Sequence, residues 1–121
     1  MQTEFVWTLK KPVGPLRAPR LRDLLASLYI QLGDLDRARQ VAEAGLAEQR
    51  SEDAQFGYWR GRLLRRRALV ALREGGDAQA EAWLAEARPL IAAAVGDANP
   101  YVTQLVSERC VAQVRLEIGR A

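Results

Sequence analysis

From residue 20 onward the apolar residues recur every three or four positions. Leu21, Leu24, Leu25, Leu28 and Leu32 fall on one side of a helix. Leu35, Ala38, Ala42, Gly45 and Leu46 make a second stripe, and Ala80, Leu84, Ala87 and Ile91 another. Val102, Val106, Cys110, Val114 and Ile118 follow at intervals of four. Breaks come at Gly33-Asp34, at Gly75-Gly76-Asp77 and in the run from Gly96 to Pro100. This punctuation predicts five helices, over 20–32, 35–49, 54–74, 78–95 and 101–118. The connections are short, so consecutive helices should pack antiparallel. Ser51-Glu52-Asp53 offers caps for the third helix. Pro89 lacks the amide that would bond the carbonyl of Ala85, which predicts a kink or a break in the fourth.

Residues 1–19 do not share this period. Glu4-Phe5-Val6-Trp7-Thr8-Leu9 has the composition of a strand, and Pro12, Gly14, Pro15 and Pro19 oppose helix interiors. The expected division is an extended arm and Pro-rich linker over 1–19, followed by a helical domain over 20–121. A lone strand needs a partner, so the arm should pack on the helices, pair with another chain or stay mobile.

The chain also repeats itself. A shift of 42 residues carries Ala26 onto Ala68 and then onto Cys110. It also carries Gly33 onto Gly75, Ala38 onto Ala80, Ala42 onto Leu84 and Gly45 onto Ala87. Small residues thus return where facing helices approach closely, a pattern of stacked helix pairs.

The segment Leu25-Ala26-Ser27-Leu28-Tyr29-Ile30-Gln31-Leu32-Gly33-Asp34-Leu35-Asp36-Arg37-Ala38 resembles the first helix and turn of a tetratricopeptide repeat. Gly75-Gly76-Asp77 with Ala80, Leu84 and Ala87 resembles a second repeat. The usual period is about 34 residues. The longer spacing here, with Gly96 and Asn99-Pro100 before the fifth helix, is similar to the kinesin-light-chain-like subclass. The resemblance spans about residues 19–119. It implies an all-α fold: a short superhelix of about five antiparallel helices, carrying the N-terminal arm. It also implies a protein-interaction scaffold, in which the first helix of each pair lines a concave groove.

On the matching positions, the groove residues implied by the resemblance are Arg20, Asp23, Leu24, Ser27 and Gln31 from the first pair. Arg62, Arg65, Arg66, Leu69 and Arg73 come from the second, and Gln104, Ser107, Glu108, Val111 and Arg115 from the third helix set. The middle of such a groove would be open and strongly positive. Arginine forks suit carboxylates, so the expected partner is an acidic or helical protein segment. Lys, Arg and Asn residues clamp a C-terminal carboxylate in part of this family. Here the only asparagine is Asn99, in a loop, which argues against that device.

Composition narrows the chemistry. The chain of 121 residues is long enough for one domain with its own core, and 49% of it is hydrophobic. It has no histidine and a single cysteine, Cys110. Those counts remove the commonest general base and metal ligand, an intrachain disulfide and a cysteine-rich zinc site. Neither a phosphate-binding glycine loop nor a nucleophile elbow is present. No catalytic residue, metal site or cofactor is therefore expected, and the chain is read as a non-enzyme. Cys110 is expected to be a small buried residue at a helix contact. Gly57 and Gly61 are expected to permit close helix packing, and Trp59 and Trp83 to pack in the core or between repeats. No apolar run reaches the roughly 20 residues of a membrane span, and no signal peptide is evident. The default location is the cytoplasm. The net charge of +3 is small, so nucleic acid is the weakest of the partner classes considered.

The fifth helix carries two apolar stripes, and one neighbour covers only one of them. This predicts a homodimer in which Val106, Val111, Val114 and Ile118, or the arm residues Phe5 and Trp7, make the contact. Two further readings remain beside the scaffold. One is a structural or dimerising piece of a larger bacterial regulator, such as a kinase or transcription activator. The other is a repeat-type chaperone.

Overall fold

The computed structural model describes residues 17–120, which form five α-helices. They are α1 (Arg17–Leu32), α2 (Leu35–Glu48), α3 (Phe56–Arg73), α4 (Asp77–Val95) and α5 (Pro100–Arg120). The expected strand at 4–9, with Phe5 and Trp7, lies outside the described residues.

The turns repeat along with the sequence. Gly33 and Gly75, related by the 42-residue shift, adopt φ of +79° and +83°. Glycine enters this left-handed region without steric cost. In each turn the next amide reaches back to the last helical turn: Asp34 N–H to the Tyr29 carbonyl at 2.9 Å, and Gly76 N–H to the Ala71 carbonyl at 2.8 Å. This is the six-to-one bond of a Schellman closure. Asp34 then caps α2 by accepting from the Arg37 amide at 3.2 Å. Pro100 begins α5, where its missing N–H is harmless, and the Asn99 side chain accepts from the Tyr101 amide at 2.8 Å.

Packing follows the turns. α1 lies against α2 and α3 against α4, each pair reversed by a short connection and hence antiparallel. α2 also packs on α3, α1 on α3, and α4 on α5. The core includes two clusters along the stack. Ile30, Ala38 and Val70 form a small cluster among α1, α2 and α3. Leu64, Ala68, Ala80, Leu84, Ala87, Ile91, Val102 and Leu105 form the larger one among α3, α4 and α5. Ala26 and Ala68 are both wholly buried, as are Ala38 and Ala80, so the repeat records packing.

Gly61 is the tightest approach. A Cβ there would stand 2.7 Å from Ile91 and 3.2 Å from the Ala87 carbonyl, so glycine brings α3 and α4 together. Gly57 has no such role, since its nearest neighbour would be Leu90 at 3.6 Å. Trp59 is buried as expected, and Trp83 is half-buried beneath the Arg67 guanidinium, 4.3 Å from its ring centre.

Several expectations need correction. The first helix begins at Arg17, so Pro19 belongs to it and not to the linker. Pro19 sits in the first turn, where backbone amides have no intrahelical acceptor and a missing one costs nothing. The third helix begins at Phe56, two residues late. Asp53 serves the turn instead of capping the helix: its carboxylate accepts from the Arg50 amide at 2.8 Å. The residue before α3 is Gln55, left-handed at φ 56° and without a side-chain cap. Pro89 does not split the fourth helix, which runs unbroken through it. Pro89 is on the exposed side, where the unpaired Ala85 carbonyl can be solvated. No helix among the described residues is long and apolar enough to cross a membrane.

Candidate interaction face

α1 packs on α3, and side chains of α3 reach both α1 and α5, so that the three helices share one face. Its centre is an ion-pair ladder. Asp23 on α1 accepts from two arginines of α3, Arg62 Nε at 3.0 Å and Arg66 Nε at 2.8 Å. One helical turn separates those arginines, so one carboxylate spans both. On the other side of α3, Arg65 grips Glu108 of α5 with both prongs, at 2.8 and 2.7 Å. Gln104, one turn before Glu108, donates to the same carboxylate at 3.2 Å.

Aromatic rings complete the ladder. The Tyr101 ring centre is 4.7 Å from the Arg62 guanidinium carbon and 5.0 Å from that of Arg65. Arg62 also donates to the Tyr58 hydroxyl at 2.8 Å. The Arg65 charge is opposed by burial. Bonds to Glu108 and the nearness of Tyr101 outweigh this, so its pKa lies above the usual arginine value. Arg62 behaves alike: burial opposes its charge, and Tyr101 and Asp23 overcome it.

Of the face expected to be open and strongly positive at Arg62, Arg65, Arg66 and Arg73, this overturns the first three positions, and only Arg73 stays open. The first three are partly buried, with the Arg65 and Arg66 side chains only 14% and 13% exposed, and each meets a carboxylate. Asp23 is corrected too. At 5% exposure it anchors α1 to α3 and offers a partner almost no surface. The reason is the repeat spacing: pairs 43 residues apart, Asp23–Arg66 and Arg65–Glu108, are set opposite each other on neighbouring helices. The signal was legible as opposite charges recurring at that offset. The roles of Tyr58 and Tyr101 had no such signal.

The remaining candidates are distributed around this ladder. Leu24 is 54% exposed on α1 and Val111 50% exposed on α5, while Leu69 is half-buried on α3 between them. Ser27 is half-buried and Gln31 exposed. Arg73 is exposed and pairs with no carboxylate among the described residues. It borders a cavity of about 190 Å³ with Ile30, Leu69, Leu72 and Arg115. Arg115 donates to the Leu72 carbonyl at 3.0 Å and lies 3.2 Å from the Asp77 carboxylate without aligned hydrogen-bond geometry.

Arg20 is exposed at the opposite edge, 5.9 Å from the Trp59 ring centre. It borders a wider cleft of about 630 Å³ with Gly57, Trp59, Leu90 and Val95.

Cys110 is exposed, against the expectation of burial. Its counterparts Ala26 and Ala68 are covered by the second helix of their own pairs, and among the described residues none follows α5. Val106, Val111, Val114 and Ile118 are exposed on the same helix.

Compared with family models, curated proteins and solved structures, the chain has no match in any of the three.

Proposed function

We propose that the chain is a tetratricopeptide-like interaction module that binds a protein segment along the face made by α1, α3 and α5. The observation that carries this reading is the juxtaposition of exposed Leu24 and Val111 on the outer helices with a row of arginines already held in place between them. Apolar contact supplies the driving force, since exposed leucine and valine gain by leaving water. The ordered ladder limits the side-chain freedom that binding would otherwise remove. Charge selectivity then belongs to Arg73 and Arg20, which keep exposed guanidinium groups at the two edges of the face. An amphipathic segment with carboxylates spaced to reach those edges is the expected ligand.

The test uses residues outside the ladder, because replacing Arg65 or Arg66 would disturb the fold. Leu24→Asp and Arg73→Glu should each leave the thermal midpoint nearly unchanged, as exposed substitutions shift stability by only about 0.5 kcal/mol. Affinity capture from a bacterial lysate, quantified by mass spectrometry, should lose the same set of proteins with both variants. Capture profiles identical to that of the parent chain would refute the assignment of this face.

A further inference from the structure

We propose that the cleft between the start of α3 and the end of α4 binds a small monocarboxylate with an apolar body. The cleft spans about 630 Å³ and is bordered by Arg20 of α1, by Gly57, Tyr58 and Trp59 of α3, and by the last turns of α4. Small-molecule sites commonly occupy about 300–1,000 Å³. Arg20 is the one charged residue that lines it among the described residues, and it meets no carboxylate there.

The start of α3 leaves donors unused. Gln55, just before it, is left-handed at φ 56°, and its side chain caps no amide. Phe56 N–H donates to the Asp53 carbonyl at 3.2 Å, and Trp59 N–H to that of Gln55 at 3.1 Å. The amides of Gly57 and Tyr58, between them, have no acceptor among the described residues. Such first-turn amides carry the positive end of the helix dipole and favour an anion. Trp59 adds an independent donor on the same cleft. It is 7% exposed, and its buried indole N–H has no acceptor among the described residues. A buried donor left unpaired is costly. A carboxylate at this end of the cleft meets a guanidinium, backbone amides and an indole N–H, all unused within the chain.

The opposite wall sets the rest of the ligand. Leu90, Ala93, Ala94 and Val95 of α4 line it, and all four are apolar. This wall ends α4 and carries the negative end of its dipole. The charge is therefore drawn to Arg20 and α3, and the apolar body to α4. Gly57 keeps the space between the walls open. A Cβ there would meet only Leu90, at 3.6 Å, so helix packing does not require a glycine that weakens the helix. The cleft shares Arg20 with the face proposed above but does not rest on that reading.

Calorimetric titration of the full chain with octanoate should show saturable binding. Octanamide, similar in shape but uncharged, should bind at least about tenfold more weakly, because charge-assisted hydrogen bonds are the stronger kind. Acetate, which keeps the charge without the apolar body, should also bind more weakly than octanoate. Arg20→Gln should weaken octanoate about tenfold. Gly57→Leu, which fills the cleft, should abolish its binding, and both variants should keep the helical circular dichroism of the parent. In nitrogen–proton correlation spectra the Trp59 indole and Gly57 amide signals should shift during the titration. Absence of octanoate binding would overturn the site, as would equal affinity for octanamide. Unchanged affinity in Arg20→Gln, or shifts confined to residues away from the cleft, would equally overturn it. Leu24→Asp and Arg73→Glu should leave the octanoate titration unaltered, so failure of this site is distinguishable from failure of the segment-binding face.

Discussion

Arg65 and Glu108 lie on different helices and meet through two parallel hydrogen bonds, Nε to Oε1 at 2.8 Å and Nη2 to Oε2 at 2.7 Å. Both side chains are largely shielded from water. A paired fork of this kind is stronger and more directional than a surface ion pair. It joins α3 to α5 across the face, as Asp23 joins α1 to α3. Arg65→Glu should lower stability by about 2–4 kcal/mol, because it sets two carboxylates together in a half-buried place. Adding Glu108→Arg to that variant should recover much of the loss. Urea titrations of the two single variants, the double variant and the parent measure the coupling, and strict additivity would show that the pair contributes nothing.

Asp23 serves two arginines, so its loss should be felt twice. Asp23→Ala leaves Arg62 and Arg66 side by side without their shared carboxylate. The expected cost is about 2–4 kcal/mol, since an unpaired, partly buried charge is more damaging than the pair was helpful. Replacing all three residues with apolar ones of similar size should be milder than Asp23→Ala alone. Denaturant midpoints for the two proteins decide the order.

Two glycines on α3 should respond oppositely to alanine. At Gly61 the new methyl would stand 2.7 Å from Ile91, and the crowding should cost about 1–3 kcal/mol. At Gly57 the nearest atom is 3.6 Å away, an ordinary contact. Alanine there should add up to about 1 kcal/mol by reducing the freedom of the unfolded chain and favouring helix. Thermal melts of Gly57→Ala and Gly61→Ala should shift in opposite directions, and a shared direction would contradict this account of the packing.

Pro89 sits within an unbroken helix and leaves the Ala85 carbonyl without its amide partner. Pro89→Ala restores that donor and removes the ring from the preceding turn. A gain of about 1–3 kcal/mol is expected, the full helix-interior penalty being about 3. Hydrogen exchange should show new protection at the amide of residue 89 in the variant. A lowered melting temperature would mean that the neighbouring turns depend on the proline.

The helices, their turns and most of their buried residues were legible in the sequence because they follow from local rules. A three-to-four periodicity specifies a face, and a glycine at Gly33 or Gly75 permits the left-handed turn that ends a helix. The 42-residue recurrence went further, since the small residues that it aligns at Ala26 and Ala68 are those buried between helices. Prolines tolerated by position misled the reading twice: Pro19 lies inside the first helix, and Pro89 does not split the fourth. What only the tertiary structure decided was the meaning of the charges and of the last helix. A row of arginines on one helix reads as a positive face until Asp23 and Glu108 are set opposite it, and that opposition depends on how neighbouring pairs stack. Cys110 occupies the same register as two buried alanines, yet it is exposed. Burial depends on what packs against a position, whereas periodicity records only which side of its own helix that position occupies.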